Sequence, residues 1–531
     1  MTALSVARYR ADVRAARLWS AAVVVALSVL IVSVARWGPD WPAQEFRAWI
    51  AGHDGLSVWT SRWYGGSALP GYSVMYPLVT SAFSSAVVGA AAIGVVSCVA
   101  ATWTASLLAP PSSRARMIAF GLAVAFSVCE NLLIGQVPFL LGAAFGVGAV
   151  VSVAGSRHWV LSAALAGSAS LASPLAGAFV LLVAPAVATA AGWRRTAPLA
   201  AGVAGTMVAL VVGGAGGPFP CPWETFAGVA AFCGAVLAIA PRADRAIRVF
   251  ACWYLVFAAV LFAVPNPIGG NEARLGKLIA MPLACYFLSK QGGWLRIRNG
   301  LIALAALVWP TVAFVSSLTL GATDPAGRPA FYTGLMRYLS HEPQTGRLEI
   351  PFTAGHWESY FVARSYPIAR GWERQSDLEY NQVLYRPLTA ALYRAWLTDN
   401  AISLVALPRA PLDYGGSFEA RLLQHPPGYL IPAWHDQNWQ VWKVARPTAM
   451  VTGAARLVDE DASSLTLRFA TAGVAVVRIH ASPLWTAQAP GACVGATKGN
   501  WLLVRSGHAG TVDISARITG ALITGRRSCA A

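Results

Sequence analysis

Apolar residues come in long runs through the first 320 positions of this chain and in short, alternating runs through the rest. A helix needs about 20 mostly apolar residues to cross ~30 Å of hydrocarbon. Runs near 18–37, 76–108, 117–134, 138–155, 159–172, 174–192, 197–214, 225–240, 248–264, 278–290 and 300–320 meet or approach that length. They predict a bundle of about eleven transmembrane helices over residues 1–320, with a long first outer loop at 38–75 and a second span long enough to contain a bend. Beyond it the pattern changes. Ala401 to Pro408 reads as a buried strand following a helix near 387–398, and Leu465–Phe469 and Val474–Ile479 alternate apolar and polar residues between Gly, Pro and Asp turns. Such alternation marks half-buried strands. The predicted fold class is a polytopic α-helical membrane protein with a C-terminal extracytoplasmic part, mixed α/β over 321–448 and β-sandwich-like over 449–531.

Composition sharpens the division. Only 12% of the chain is charged, against about 25% in a typical soluble protein. Residues 1–320 hold eight of the 23 acidic residues: Asp12, Asp40, Glu45, Asp54, Glu130, Glu224, Asp244 and Glu272. The net charge of +17 could suggest nucleic acid, but the basic residues of the first half lie between apolar runs instead of forming one patch. They read as topology signals. Arg8, Arg10, Arg14 and Arg17 precede the first run, and alternate connections carry Arg114 and Arg116, Arg157, Arg194 and Arg195, Arg242, Arg245 and Arg248, then Lys290, Arg296 and Arg298. The positive-inside rule then predicts a multi-pass protein of the plasma (inner) membrane, with its N-terminus in the cytoplasm and its C-terminal part outside. Cys493 and Cys529 are the two cysteines of the tail; a disulfide between them is open to the chain in an oxidising compartment, and spacing alone does not establish it.

Six of the eight acids in the membrane half fall in connections assigned to the outer side: Asp40, Glu45, Asp54, Glu130, Glu224 and Glu272. Acids contribute little to topology, and ionisable groups near membrane depth tend to mark function. Asp40 follows the first apolar run directly, between Pro39 and Pro42. A carboxylate held there could act as a general base toward a hydroxyl, with Glu45 in reserve; equally, Asp40 could cap a helix at 41–50 with Pro42 in its first turn. The segment Pro265 to Lys277 contains Gly269-Gly270-Asn271-Glu272-Ala273-Arg274. Arg274 and Lys277, three apart, share a helical face beside a Gly-rich turn that includes Asn271, which suits a phosphate. Snorkelling into lipid headgroups is the competing account. Gln136, Glu224, Glu272 and Tyr76 are candidate site walls. His53-Asp54 and His356-Trp357-Glu358 lack partners at diagnostic metal spacing, so no metal site is predicted. No P-loop, G-x-S-x-G or HExxH occurs, so no ATPase or serine hydrolase signature is present.

An acid just after the first helix, a long first outer loop, basic residues in a late outer loop and an extracytoplasmic tail together resemble the GT-C superfamily of membrane glycosyltransferases. The first loop, with Gly65-Gly66 and Tyr76-Pro77, resembles bacterial membrane proteins labelled 6-pyruvoyl-tetrahydropterin synthase-related. Gly269 to Leu275, with His356-Trp357-Glu358 and Ala369 to Gln375, resembles large actinobacterial members, and Ser482-Pro483-Leu484-Trp485 is similar to the β-rich end of YfhO-type proteins. The resemblance implies transfer of a sugar from a polyprenyl-phosphate carrier held in the lipid bilayer to a cell-envelope glycan or glycolipid acceptor on the outer face of the membrane. In it Asp40 matches the catalytic base and Arg274 the residue holding the donor phosphate. The acid stands as Asp40-Trp41 without the adjacent second acid of many relatives, which leaves a divalent cation as an open cofactor and no other cofactor expected. In the tail, His356, Trp357, Glu358, Trp372 and Arg374 are candidates for acceptor binding, or else a packed core. Two other functions fit the pattern less fully. A lipid or lipid-linked glycan transporter would be expected to carry charges at mid-membrane, and a non-catalytic envelope assembly protein would use the acids only as caps.

Overall fold

The computed structural model describes residues 3–33, 38–55, 57, 59–69, 72–83, 86–108, 114–155, 158–212, 217–290, 295–343, 345–516 and 529. The end of the first predicted span (34–37) and Arg157 lie outside these. The chain forms two compact units, Met1–Trp41 with Gly71–Ala322, and Pro42–Pro70 with Thr323–Ala531.

The first unit is helical. It opens with α1 (Ala3–Ser33); then α2 (Trp41–His53) leads into the second unit. On its return the chain forms α3 (Met75–Phe83), α4 (Ala86–Leu108), α5 (Arg114–Ile134), α6 (Val137–Gly155), α7 (Trp159–Ala172), α8 (Pro174–Ala191), α9 (Trp193–Val212), α10 (Trp223–Ile239), α11 (Arg245–Ala263), α12 (Ala273–Lys290) and α13 (Leu295–Thr323). The second predicted span is therefore two helices, α3 and α4. Among the described residues, three helices are long and apolar enough to cross a membrane, Ala115–Ile134, Pro174–Ala191 and Arg245–Ala263, and several others are apolar but shorter. Val256, Val260, Val308, Val312 and Val315 are exposed, a surface that water would penalise and lipid would not. Small residues let the helices approach closely. A methyl group at Gly142 would strike Ala176 of α8, and one at Gly202 would strike the Ala163 carbonyl of α7, the packing habit of helices that associate in lipid. Helix α12 lies along α5, which sets up the site described below.

The second unit contains segment 42–70 as well as the C-terminal half. The first outer loop is thus divided, most of it belonging to this unit. Its hairpin of β1 (Trp59–Thr60) and β2 (Ser67–Ala68) sends Trp59 into a core with Trp485, their rings edge to face at 5.8 Å. Strands β3 (Arg347–Glu349), β4 (Ile402–Pro408), β5 (Leu430–His435) and β6 (Trp439–Val444) form one sheet in the order β3-β4-β6-β5, parallel only between β3 and β4. Around it lie α14 (Pro329–His341), α15 (Glu358–Phe361), α16 (Arg374–Tyr380), α17 (Ala390–Asp399) and α18 (Ser417–Leu423).

Two further antiparallel sheets follow. One runs β12 (Cys493–Ala496), β13 (Trp501–Ser506), β10 (Gly473–His480), β7 (Val451–Gly453); the other runs β11 (Trp485–Ala487), β14 (Gly510–Ala516), β9 (Ser464–Phe469), β8 (Ala455–Glu460). Alternate residues Leu465, Leu467 and Phe469 of β9 meet Ala475, Val477 and Ile479 of β10 in a shared core, as the period-2 geometry of strands requires. Cys493 and Cys529 are joined by a disulfide with their Cα atoms 5.1 Å apart.

Candidate functional site

The site in the helical unit is built on the end of α5. The last carbonyls of a helix have no partner within it, and here residues 38–41 supply the donors. Gly38 N–H donates to the Leu133 carbonyl at 2.7 Å and Asp40 N–H to that of Ile134 at 3.0 Å. Trp41 Nε1–H donates to the Leu132 carbonyl at 2.8 Å. Two glycines permit the approach: a Cβ on Gly38 would strike Ile134, and one on Gly135, whose φ is +95°, would strike the Trp41 backbone. Asp40 is thereby fixed beside the turn between α5 and α6.

The opposite wall is the start of α12. Asn266 Oδ1 accepts the N–H groups of Ile268 at 2.9 Å and Gly269 at 2.8 Å, and Gly270 N–H donates to the Pro220 carbonyl at 3.1 Å. Tyr254 hydroxyl donates to the Glu272 carbonyl at 2.6 Å and accepts from Gly276 N–H at 3.0 Å. These bonds lock the helix entry, with Arg274 and Lys277 in its first turns. Arg274 Nη2 then lies 3.3 Å from Asp40 Oδ2, both side chains about four-fifths buried. An acid and a guanidinium 234 positions apart in sequence form an ion pair.

Beside this pair is a cavity of about 110 Å³ whose polar lining is Glu130, Asn131, Gln136, Asn271, Arg274 and Lys277. That is well above the ~10–15 Å³ one water occupies on the same measure. It suits a phosphate with adjoining hydroxyls and is too small for a polyprenyl chain. Of the predicted site residues, Asp40, Arg274, Lys277, Asn271 and Gln136 come together here. Glu272, a predicted wall, is fully buried and accepts instead from the Cys221 thiol at 3.5 Å; burial pushes its carboxyl up to about 7. Glu224 is exposed in the first turn of α10. Tyr76 is buried in α3, its N–H donating to Ser73 Oγ at 3.1 Å. Neither lines the cavity. Glu130, one of the six acids assigned to the outer side, was given no role, and Asn131 was missed; the signal that could have found both is an acid followed by an amide near the end of the membrane-length helix α5.

Glu45 lies in the second unit, where burial pushes its carboxyl up to about 7 against the opposing pull of Arg364. The tail residues divide. Trp357 is buried and stacks on Phe361 at 5.1 Å. Glu358 is buried too, accepting from Thr353 Oγ1 at 2.6 Å and Thr353 N–H at 3.1 Å. Both belong to the packed core, the alternative to acceptor binding: the Trp357 ring lies against Phe361, and both carboxylate oxygens of Glu358 are taken by Thr353. His356, also buried, stacks on Trp372 at 3.4 Å, and burial together with Arg374 and Arg370 holds its imidazole well below its ordinary pKa. Arg374 donates to Asp413 at 2.8 Å and lies between Trp372 and Tyr414, at 4.9 Å and 4.4 Å from their rings. Tyr414 is exposed.

Burial pushes Glu358 from 4.5 up to about 8. A raised acid stabilises the fold fully below the unfolded value, and that stability is lost as pH rises through the folded one. Glu358→Gln mimics the neutral acid, donating to Thr353 Oγ1 and accepting from its N–H. It is expected to flatten the fall in melting temperature between about pH 4.5 and 8, an effect on the order of a few kcal/mol; an unchanged slope in a pH series of thermal unfolding would contradict this.

Among the described residues no three His, Cys, Asp or Glu side chains gather as a metal-binding group, and Asp40 faces a guanidinium. These residues do not fit a divalent cation, and no step is derived through one.

No known family model and no curated protein matches the sequence. Among solved structures, the chain is similar to the arabinofuranosyltransferase AftD from Mycobacteria at 16% identity and a TM-score of 0.42, covering 86% of this chain and 43% of that one. This chain thus spans less than half the length of AftD. It is also similar to ArnT from Cupriavidus metallidurans, in a crystal structure bound to undecaprenyl phosphate, at 12% identity and a TM-score of 0.42, covering 80% of this chain and 97% of ArnT.

Proposed function

We propose that the protein is a GT-C-type glycosyltransferase of the plasma membrane, using about eleven spans to hold a site at the outer face and moving a sugar from a polyprenyl-phosphate donor to a cell-envelope glycan or glycolipid. The observation that carries this reading is the Asp40–Arg274 pair beside a cavity that also offers Lys277. Arginine has five N–H donors in a planar fork, so the guanidinium that rests against Asp40 can turn to take two phosphate oxygens. In the reaction, the acceptor hydroxyl oxygen attacks the anomeric carbon as the bond from that carbon to the phosphate oxygen breaks. Polyprenyl phosphate leaves with the bonding electron pair, its added charge met by Arg274 and Lys277. The hydroxyl proton passes to Asp40, which Arg274 no longer engages once it has turned to the phosphate. With one base on one face and the leaving group on the other, the anomeric centre inverts. Positioning and charge neutralisation supply the larger part of the rate.

The test is transfer of a radiolabelled sugar by the purified full chain in liposomes loaded with polyprenyl-phosphate donors. Arg274→Ala is expected to lower kcat/KM by about 10²–10³-fold, the loss typical of one preorganised donor at a developing negative charge. Arg274→Lys should recover part of it, since charge returns without the fork. No transfer by the wild type from any donor of this class, or an Arg274→Ala variant as fast as the wild type, would overturn the reading.

A further inference from the structure

Glu130 is the group in the cavity that phosphate binding leaves unexplained. It is 1% exposed, and its Oε2 has no hydrogen-bond partner among the described residues. Lys277 lines the same cavity. A buried carboxylate oxygen without a donor costs on the order of 1–3 kcal/mol or more, and such a group in a native site calls for an occupant. A bare phosphate is the wrong one, because a second anion beside Glu130 is repelled. The right one carries a negative charge at one end, for Arg274 and Lys277, and hydroxyl donors at the other. Asn131, Gln136 and Asn271 in the same lining each provide both a donor and an acceptor.

We propose that this cavity recognises a glycosyl phosphate, with Arg274 and Lys277 on the phosphate and Glu130 accepting hydrogen bonds from the hydroxyls of the sugar ring. Glu130 is then the residue that separates a sugar-bearing donor from free phosphate, from a bare polyprenyl phosphate and from a phospholipid headgroup. This deepens the transferase reading, on which it rests for the ligand's role as donor. The binding chemistry itself is separable from turnover.

The experiment uses the full chain in nanodiscs and measures dissociation constants for a panel of pentose and hexose 1-phosphates, for methyl phosphate and for inorganic phosphate. The wild type is expected to bind at least one sugar phosphate on the order of 10- to 100-fold more tightly than methyl phosphate, the effect of a hydrogen bond to a charged group. Glu130→Ala should remove that preference and leave methyl phosphate bound equally or more tightly, since the repelling charge is gone. Glu130→Gln, which preserves shape, should keep part of the preference and serves as the variant of choice if the alanine protein does not fold. Equal binding of sugar phosphates and methyl phosphate by the wild type, or a preference unaltered in both variants, would overturn the inference. If that happens while sugar transfer still depends on Asp40, this inference alone falls. If the preference is present and Glu130-dependent but no transfer is found, the transferase reading alone falls.

Discussion

Asp40→Asn is expected to lower kcat for sugar transfer by about 10²–10⁴-fold, the usual contribution of a positioned general base, with KM for the donor little changed. Asparagine has nearly the same shape and keeps an oxygen toward Arg274, so the 3.3 Å contact can persist as a neutral hydrogen bond. The main-chain bond from residue 40 to the Ile134 carbonyl does not involve the side chain. What is lost is the capacity to accept a proton at the moment the acceptor attacks. The readout is therefore a kcat loss in a protein whose melting temperature and donor affinity stay close to those of the wild type. Wild-type turnover in this variant would remove Asp40 from the role of base and reduce the ion pair to a clamp between the first loop and α12.

Arg370→Met is expected to destabilise the second unit by about 3–5 kcal/mol, the cost of leaving buried charge without its counter-ion. Arg370 is buried and donates to both oxygens of Asp377, through Nε at 3.0 Å and Nη2 at 2.6 Å. Its Nη1 lies 3.6 Å from Glu419 and 3.9 Å from Glu349, both fully buried. Burial raises Glu349 and Glu419, and Arg370 opposes the rise. Removing the guanidinium strips all three acids of their shared cation and leaves Asp377 only the donors of Asn381 and Tyr385. Adding Asp377→Leu to Arg370→Met should restore part of the stability, because the pair leaves together. Calorimetry on the full chain would show the loss as a lower unfolding temperature of the unit. Two losses that simply add would mean that the side chains do not act as a unit.

The parts of this molecule that local pattern governs were legible in the sequence. The alternation at 465–469 and 474–479 falls on β9 and β10, the run 401–408 on β4, and the helix near 387–398 on α17. In each, the period of the apolar residues is itself the signal. Asp40 and Arg274 were legible for another reason: charges near membrane depth are costly, so those falling in loops that the positive-inside pattern assigns to one side are candidates to meet. Properties that depend on partners distant in sequence were not legible. Trp59, Trp63 and Tyr64 fall within the predicted first outer loop, yet they are buried in the second unit, with Trp63 Nε1 donating to the Ser359 carbonyl and Tyr64 hydroxyl to that of Gly371. Glu358 looks like a ligand beside His356 until Thr353 is seen to use up both of its oxygens. The run 76–108 was read as long enough to contain a bend, and it forms the two helices α3 and α4; where the bend falls was not legible, because a break between two apolar helices leaves composition unchanged.

The docking of residues 38–41 onto the end of α5 has a consequence for how the cavity admits a ligand. Asp40 is located by peptide groups, and the bonds that hold it are the same ones that complete a helix terminus. Shifting the main chain at residue 40 outward would unravel that terminus, so the carboxylate is left only its own two short torsions. Arg274 hangs on a long, multiply rotatable stem from a helix braced by Tyr254. The two partners therefore differ in compliance: the anion is an anchor and the cation a latch. Release of Asp40 therefore asks only for rotation about single bonds of one arginine.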